Sequence, residues 1–410
     1  MERTTCCVIG GGPAGVMAGL LLARAGVKVT VLEKHADFLR DFRGDTVHPS
    51  TLQLLDELGL GQRFAALRQS RVERVAFPLD GQQRLLVTGD FRLLRVRHPY
   101  VALVPQWELL NLLAEAAAAE PTFTLRMSHE ATGLVWHGHR VAGVEYRTGD
   151  GGTGTLTADL TLAGDGRHSM ARSQANLPVR EFPILTDAWW FRLPQREGDV
   201  TSTLAPHLGY GRMAVVLPRE GYFQIGYLGR KGTDAQLRGR GVEAFRRDIA
   251  ELMPEFADRV DAIRSLDDVR FLDVRLNRLR RWYADGLLCI GDAAHAMSPM
   301  GGVGINLAIQ DAVAAATMLA EPLLRGTLTC ADLAAVQRRR LLPTRLVQAL
   351  QRIMHRLIAD PVVTGRRQGP PRQLATLMDR LPRASYVPAY LIGVGYRSEH
   401  APGFARRTHS

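Results

Sequence analysis

Gly10, Gly12 and Gly15 stand in the spacing G-x-G-x-x-G, directly after the apolar run TTCCVIGGG and before PAGVMAGLLLARAG. A strand that turns into a helix through such glycines presents unpaired backbone N–H groups to a pyrophosphate. The first glycine makes the turn, the second lets the backbone approach the phosphates, and the third packs helix on sheet. Pro13 and Ala14 belong to the same cradle, and Gly19 extends its packing face. Glu33 closes the next apolar run, VKVTVLEK, where a carboxylate accepts hydrogen bonds from a ribose, and Lys34 follows it. The chemistry is dinucleotide binding, without a distinction between NAD and FAD. A second cluster, Gly301, Gly302 and Gly304, lies in GDAAHAMSPMGGVGINLAIQDA, after Pro299 and before a helix-like run. We expect the two clusters to hold opposite ends of one ligand.

The elements that must position these residues follow from periodicity. A βαβ unit opens at residue 4. RGDTVHPSTLQLLDELGL leads into a helix with Ser50 as its expected N-cap. Residues 72 to 104 alternate as antiparallel strands, and PQWELLNLLAEAAAA is helical with Pro105 near its first turn. Short strands run from TFTLRM to TGTLTADLTLAG, and AWWFRLP, RMAVVLP and YFQIGYL predict a mixed or antiparallel sheet. GLLCIGDAA is a buried strand, and the chain after 321 reads as helical. The fold class is therefore α/β, with a Rossmann-type nucleotide-binding part, an inserted mixed or antiparallel sheet and a helical C-terminal segment.

Composition narrows the function. The 410 residues carry a net charge of +11, almost entirely from scattered arginines. No nucleic-acid motif accompanies them, so attraction of anionic small molecules is expected and nucleic-acid binding is not. No run of eighteen apolar residues and no signal-peptide pattern is present, which points to a cytoplasmic protein without a transmembrane segment. Cys6, Cys7, Cys289 and Cys330 show no C-x-x-C spacing and are expected to be buried free thiols, and no metal site is expected.

Three separated motifs occur in order: the N-terminal glycines with Glu33, then AGDGRHSMAR with its Asp165–Gly166 pair, then GDAAH with its Gly291–Asp292 pair. Over residues 4 to 320 the chain resembles the FAD-dependent aromatic hydroxylases, flavoprotein monooxygenases of the p-hydroxybenzoate hydroxylase fold. The resemblance implies an FAD-binding domain at 1–75, 99–175 and 277–320, a substrate-binding domain at 76–98 and 176–276, and a C-terminal helical segment at 321–410. It implies that Glu33 binds the adenosine ribose and that Arg43 lies near the FAD phosphates. Gln106 would contact FAD, Ala131 would sit by the adenine, and Asp165 would serve FAD and NAD(P)H handling. Asp292 would bond the ribityl or pyrophosphate portion. Pro299, Gly302, Gly304, Ile305 and Asn306 would line the flavin, with a helix N-terminus favouring negative charge on the reduced ring.

The implied reaction consumes NADH or NADPH as transient reductant. O₂ adds to the flavin C4a, and the hydroperoxide transfers one oxygen to an aromatic, phenolic or polyketide-like small molecule. His48 is the candidate base for a phenol. Trp190, Arg192, Tyr222, Gln224 and Tyr227 are the candidate substrate residues, with Tyr222, Gln224 and Gly226 on one strand face and Phe223, Ile225 and Tyr227 on the other. A monomer or homodimer is expected. A flavin reductase of the geranylgeranyl reductase type and a non-catalytic FAD-fold binding protein stand as alternatives. A halogenase is disfavoured by the absence of W-x-W-x-I-P.

Overall fold

The computed structural model describes residues 2–39, 46–79, 84–196, 198–199, 203–367 and 369–407. β1 (Glu2–Ile9), α1 (Pro13–Arg24) and β2 (Val29–Leu32) form the opening βαβ unit. α2 (Pro49–Glu57), the hairpin β3 (Arg74–Leu79) and β4 (Arg84–Asp90), and α3 (Gln106–Ala118) follow. Next come β5 (Phe123–Arg126), β6 (His129–His137), β7 (Arg140–Thr148) and β8 (Thr153–Ala163). The chain continues through β9 (Thr186–Pro194), β10 (Pro206–Gly209), β11 (Arg212–Pro218), β12 (Tyr222–Arg230), α4 (Gly241–Leu252) and β13 (Arg270–Leu272). It then returns through β14 (Tyr283–Ala284) and β15 (Leu287–Cys289) into α5 (Gly304–Arg325), α6 (Cys330–Met354), α7 (Arg372–Arg380) and α8 (Tyr386–Gly393).

The main sheet runs β14-β15-β8-β1-β2-β5, with β15, β8, β1, β2 and β5 parallel. β7 and β6 continue antiparallel from the N-terminal half of β8. β1 and β2 read as unbroken apolar runs because helices cover both faces; Val8, Val29 and Val31 are fully buried. The second sheet, β10-β11-β12-β9-β13, is antiparallel throughout. Trp189, Phe191, Phe223, Ile225 and Tyr227 on one of its faces pack against Phe245 and Ile249 of α4. The other face carries Ala188, Trp190, Gly226 and Leu228 toward a cavity.

Two local expectations change. α2 begins two positions earlier than the Ser50 cap requires: His48 is its N-cap and Pro49 its first residue, where a missing N–H costs nothing. Cys6, Cys7 and Cys289 are buried and desolvation pushes their thiols up, but Cys330 is exposed at the start of α6. α5 is long and apolar enough to cross a membrane. Here it is a core helix, packed on α1 and α6, and 72% of its most apolar window is buried.

Candidate active site

The parallel strands deliver the three motifs to one edge. Gly10 has φ +95°, and a Cβ there would stand 2.6 Å from the Gly164 carbonyl, so the first turn and the Asp165 loop touch. A Cβ on Gly15 would lie 1.9 Å from the Gly10 carbonyl, and one on Gly19 would lie 2.7 Å from the Phe123 ring. These two glycines pack helix on sheet. Gly12 is different, because a Cβ there meets nothing within 4 Å. It faces the cavity, and no side chain caps α1 at that position.

The cavity has a volume of about 1220 Å³. That exceeds the roughly 300–1,000 Å³ of a pocket for one drug-sized ligand. Gly10, Gly12, Pro13, Ala14, Glu33, Lys34, Gln106 and Ala131 line the cavity. So do Asp165, Asp292, Pro299, Gly302, Gly304 and Ile305. The two glycine clusters, almost three hundred residues apart in sequence, therefore bound one space. Gly15 packs behind it. Arg43 lies outside the described residues.

The carboxylates are held in distinct ways. Glu33, 2% exposed, accepts from the backbone N–H of Gly11 through Oε2 (2.7 Å) and of His35 through Oε1 (3.0 Å). Asp165 Oδ2 accepts from Ala171 N at 3.2 Å, while Oδ1 is buried without a partner. Burial raises the Asp165 carboxyl above its ordinary range. Asp292 sits 3.4 Å from Arg167 Nε, and both line the cavity. α5 begins at Gly304 with no side-chain cap, so its first N–H groups adjoin the cavity beside Gly304 and Ile305.

Asn306 is not at the cavity surface. Its Oδ1 accepts from His48 N (2.9 Å) and Thr51 Oγ1 (2.8 Å), and its Nδ2 donates to Thr46 O (3.2 Å). It braces the Gly301–Gly304 turn against α2. His48 is 1% exposed, and its Nδ1 donates to the Ile392 carbonyl at 2.8 Å. Burial lowers its pKa to about 4. Lowered basicity weakens the ring as an acceptor of a phenol proton. The ring bridges α2 and α8 through Nδ1, while His48 lines the cavity and its Nε2 is buried without a partner.

Among the candidate substrate residues Trp190 lines the cavity. Gly226 lies opposite it, and a Cβ on Gly226 would meet the indole ring at 2.9 Å. The missing side chain lets the ring lie across β12. Tyr222 and Gln224 share the Gly226 face but sit beyond the cavity. Arg192 is exposed, 4.8 Å over the Tyr222 ring, and Gln224 donates to the Phe191 carbonyl. Tyr227 points the other way, into the core under α4, edge-on to Phe245.

Sequence reasoning missed the far wall. Leu350, Ile353 and Met354 of α6 line the cavity, with Leu357 and Ile358 from the five-residue π-helical segment His355–Ala359 that follows. Ala389 and Ile392 of α8 complete it. The i, i+3, i+4, i+7, i+8 apolar spacing was the available signal. Also missed was a fully buried ion cluster behind the Gly291–Asp292 turn. Asp311 accepts from Gly291 N (3.1 Å), pairs with His295 Nε2 (2.6 Å) and with Arg340 Nε (2.9 Å). His295 and Arg340 hold its carboxyl below the usual range despite burial.

Comparison with known proteins agrees with this construction. The family described as "FAD binding domain" matches residues 3–349. The 6-methylpretetramide 4-monooxygenase of Streptomyces rimosus is 37% identical over 95% of this chain and 90% of its own length. A 12-dehydrotetracycline 5-monooxygenase/anhydrotetracycline 6-monooxygenase of the same species is 30% identical over 76% of this chain and 61% of its own length. The crystal structure of PqsL, a probable FAD-dependent monooxygenase from Pseudomonas aeruginosa, superposes with a TM-score of 0.74, at 21% identity, covering 92% of this chain and all of PqsL; it supports the fold alone. With the uncapped helix starts, the open face of Gly12 and the unpartnered Asp165 oxygen fitting the cofactor, the chain belongs to the FAD-binding-domain family and is an FAD-dependent monooxygenase.

Proposed function

We propose that the chain places one oxygen atom from O₂ on a fused-ring aromatic of polyketide type, in the cytoplasm, with NADH or NADPH as transient reductant. The observation that carries this is one large cavity of mixed lining. Glycine turns, helix N-termini and carboxylates line it together with a large set of apolar side chains.

FAD, when bound, supplies the electron storage and the activation of O₂. The chain's residues do the rest. Gly10, Gly12, Pro13 and Ala14 offer backbone contact to the pyrophosphate, and the α1 N-terminus favours its charge. Glu33 and Lys34 take the ribose end, Ala131 the adenine, and Gln106 a polar contact on α3. Asp165 and Asp292 orient the linker between the two halves. Pro299, Gly302, Gly304 and Ile305 flank the ring system, and the N-terminus of α5 stabilises negative charge on it by about 0.3–1 kcal/mol or more.

Trp190, Val215, Leu217, Leu350, Met354 and Ile392 supply apolar lining for the substrate. Six of the 11 methionines line the whole cavity, and their unbranched thioethers adapt to the outline of a flat, bulky guest. The relatives that act on pretetramide and tetracycline intermediates fit a compartment of this kind. The test is dinucleotide oxidation across a panel of phenols and polycyclic polyketides under ¹⁸O₂, with mass analysis. The reading expects one labelled oxygen in a polycyclic product. Reduction of the substrate without oxygen gain would support a reductase instead.

A further inference from the structure

We infer that the last dozen described residues are part of the cofactor grip, and that Glu399 and Arg340 act as positioning residues for the Gly291–Asp292 turn. The inference rests on the assignment of that turn to FAD.

The connection is continuous and buried. Gly291, in the left-handed region at φ +58°, donates its N–H to Asp311 Oδ2, which also holds His295. The other Asp311 oxygen takes Arg340 Nε at 2.9 Å. Arg340 Nη1 then lies 3.6 Å from Glu399 Oε1. Asp311, His295, Arg340 and Glu399 are 0%, 1%, 1% and 4% exposed, so solvent screens none of these contacts. Glu399 is itself fixed from outside by Arg339, through Nε at 2.8 and 3.0 Å and Nη2 at 2.7 Å. Its backbone N–H donates to Gln310, the residue before Asp311.

The tail has separate anchors on α2 and on α1, the helix that follows the first glycine cluster. Glu57 accepts from Ala401 N at 2.8 Å and pairs with His400, and Arg24 donates to the Ala405 carbonyl at 2.8 Å. The same segment therefore touches the supports of both glycine clusters. A buried acid–base chain has few low-energy arrangements, because an unpaired member is costly. A tail seated on it and a turn held by it share one equilibrium, so each must stabilise the other.

The test uses the full chain and two variants. Glu399→Gln removes the charge, and Arg339→Gln, at a half-exposed residue, loosens Glu399 without emptying the core. FAD affinity is read by flavin fluorescence titration, and tail seating by limited proteolysis with and without FAD. We expect wild-type protein to bind FAD, FAD to slow cleavage beyond residue 394, and both variants to raise the FAD dissociation constant about five- to tenfold. Arg339→Lys should restore part of the affinity, which a general loss of packing would not. Folded Arg339→Gln and Glu399→Gln proteins with wild-type FAD affinity would overturn the inference. If Glu399→Gln does not fold, Arg339→Gln decides alone. Wild-type protein that takes up no FAD would instead overturn the cofactor assignment on which the inference stands.

Discussion

Gly291 lies wedged between Ala14 of α1 and Ala308 of α5: a Cβ on it would come within 3.3 Å of the Ala14 Cβ and 3.1 Å of the Ala308 Cβ. The late GD turn therefore touches the helix that follows the first glycine fingerprint, and α1 and α5 pack directly on each other. This contact brings together two ends of the sequence into one cradle.

Replacing Gly291 with Val should separate those helices. It adds bulk at a contact already close and forces a β-branched residue to φ +58°. We expect a loss of about 2–4 kcal/mol in unfolding free energy, measured by urea denaturation, together with weakened FAD uptake.

Two glycines of the first fingerprint should behave in opposite ways. Gly15→Ala drives a methyl to 1.9 Å from a carbonyl oxygen and should unfold or severely destabilise the FAD-free protein. Gly12→Ala points into open space, so its apo stability should change by no more than about 0.5 kcal/mol. FAD affinity should nonetheless fall about tenfold, since the methyl occupies the approach of the phosphates. Thermal melts with and without FAD separate the two effects.

Gly226→Ala should act on substrate alone. The added methyl, 2.9 Å from the Trp190 ring, must push the indole into the cavity. Steady-state dinucleotide oxidation should show KM for the aromatic substrate rising about tenfold, a change of roughly 1.4 kcal/mol. FAD affinity should stay at the wild-type value.

His48 gives a pH signature. Its folded pKa, about 4, lies below its unfolded value near 6.5. The unfolded chain binds the extra proton in this window, so stability rises with pH. The contribution is fully present above about 6.5 and is lost as pH falls toward 4, up to about 3 kcal/mol. Denaturation midpoints measured from pH 7 to 4 should drop less steeply in His48→Gln, which cannot be protonated.

Much of the cofactor end was legible because its signals are local. Gly10 is required by the turn and Gly15 by the packing behind it, Gly12 leaves the approach to the cavity open, and Glu33 closes the strand beside them. The same holds for the alternation in β12, which correctly set Gln224 and Tyr227 on opposite faces. What alternation could not say is which face meets a ligand, and Tyr227 faces α4. The family resemblance puts Asn306 at the flavin, and the loop that carries His48 puts that residue there. The Asn306 side chain is consumed by contacts to Thr46, His48 and Thr51, more than two hundred residues away in sequence, whereas the His48 ring bonds Ile392 through Nδ1 and keeps Nε2 unpartnered at the cavity. The apolar stripe from Leu350 to Ile358 was visible, but only tertiary packing shows that it closes a cavity rather than covering a core. The Asp311–Arg340–Glu399 chain joins three distant segments, and no spacing rule encodes such a meeting.

The most direct measurement is a crystal structure of the purified protein grown with FAD. The adenine should lie beside Ala131, the pyrophosphate over Gly12 and the isoalloxazine ring against Gly302 to Ile305, with the apolar lining around Trp190 left for substrate. Protein that crystallises without flavin under saturating FAD, or flavin bound outside this cavity, would contradict it.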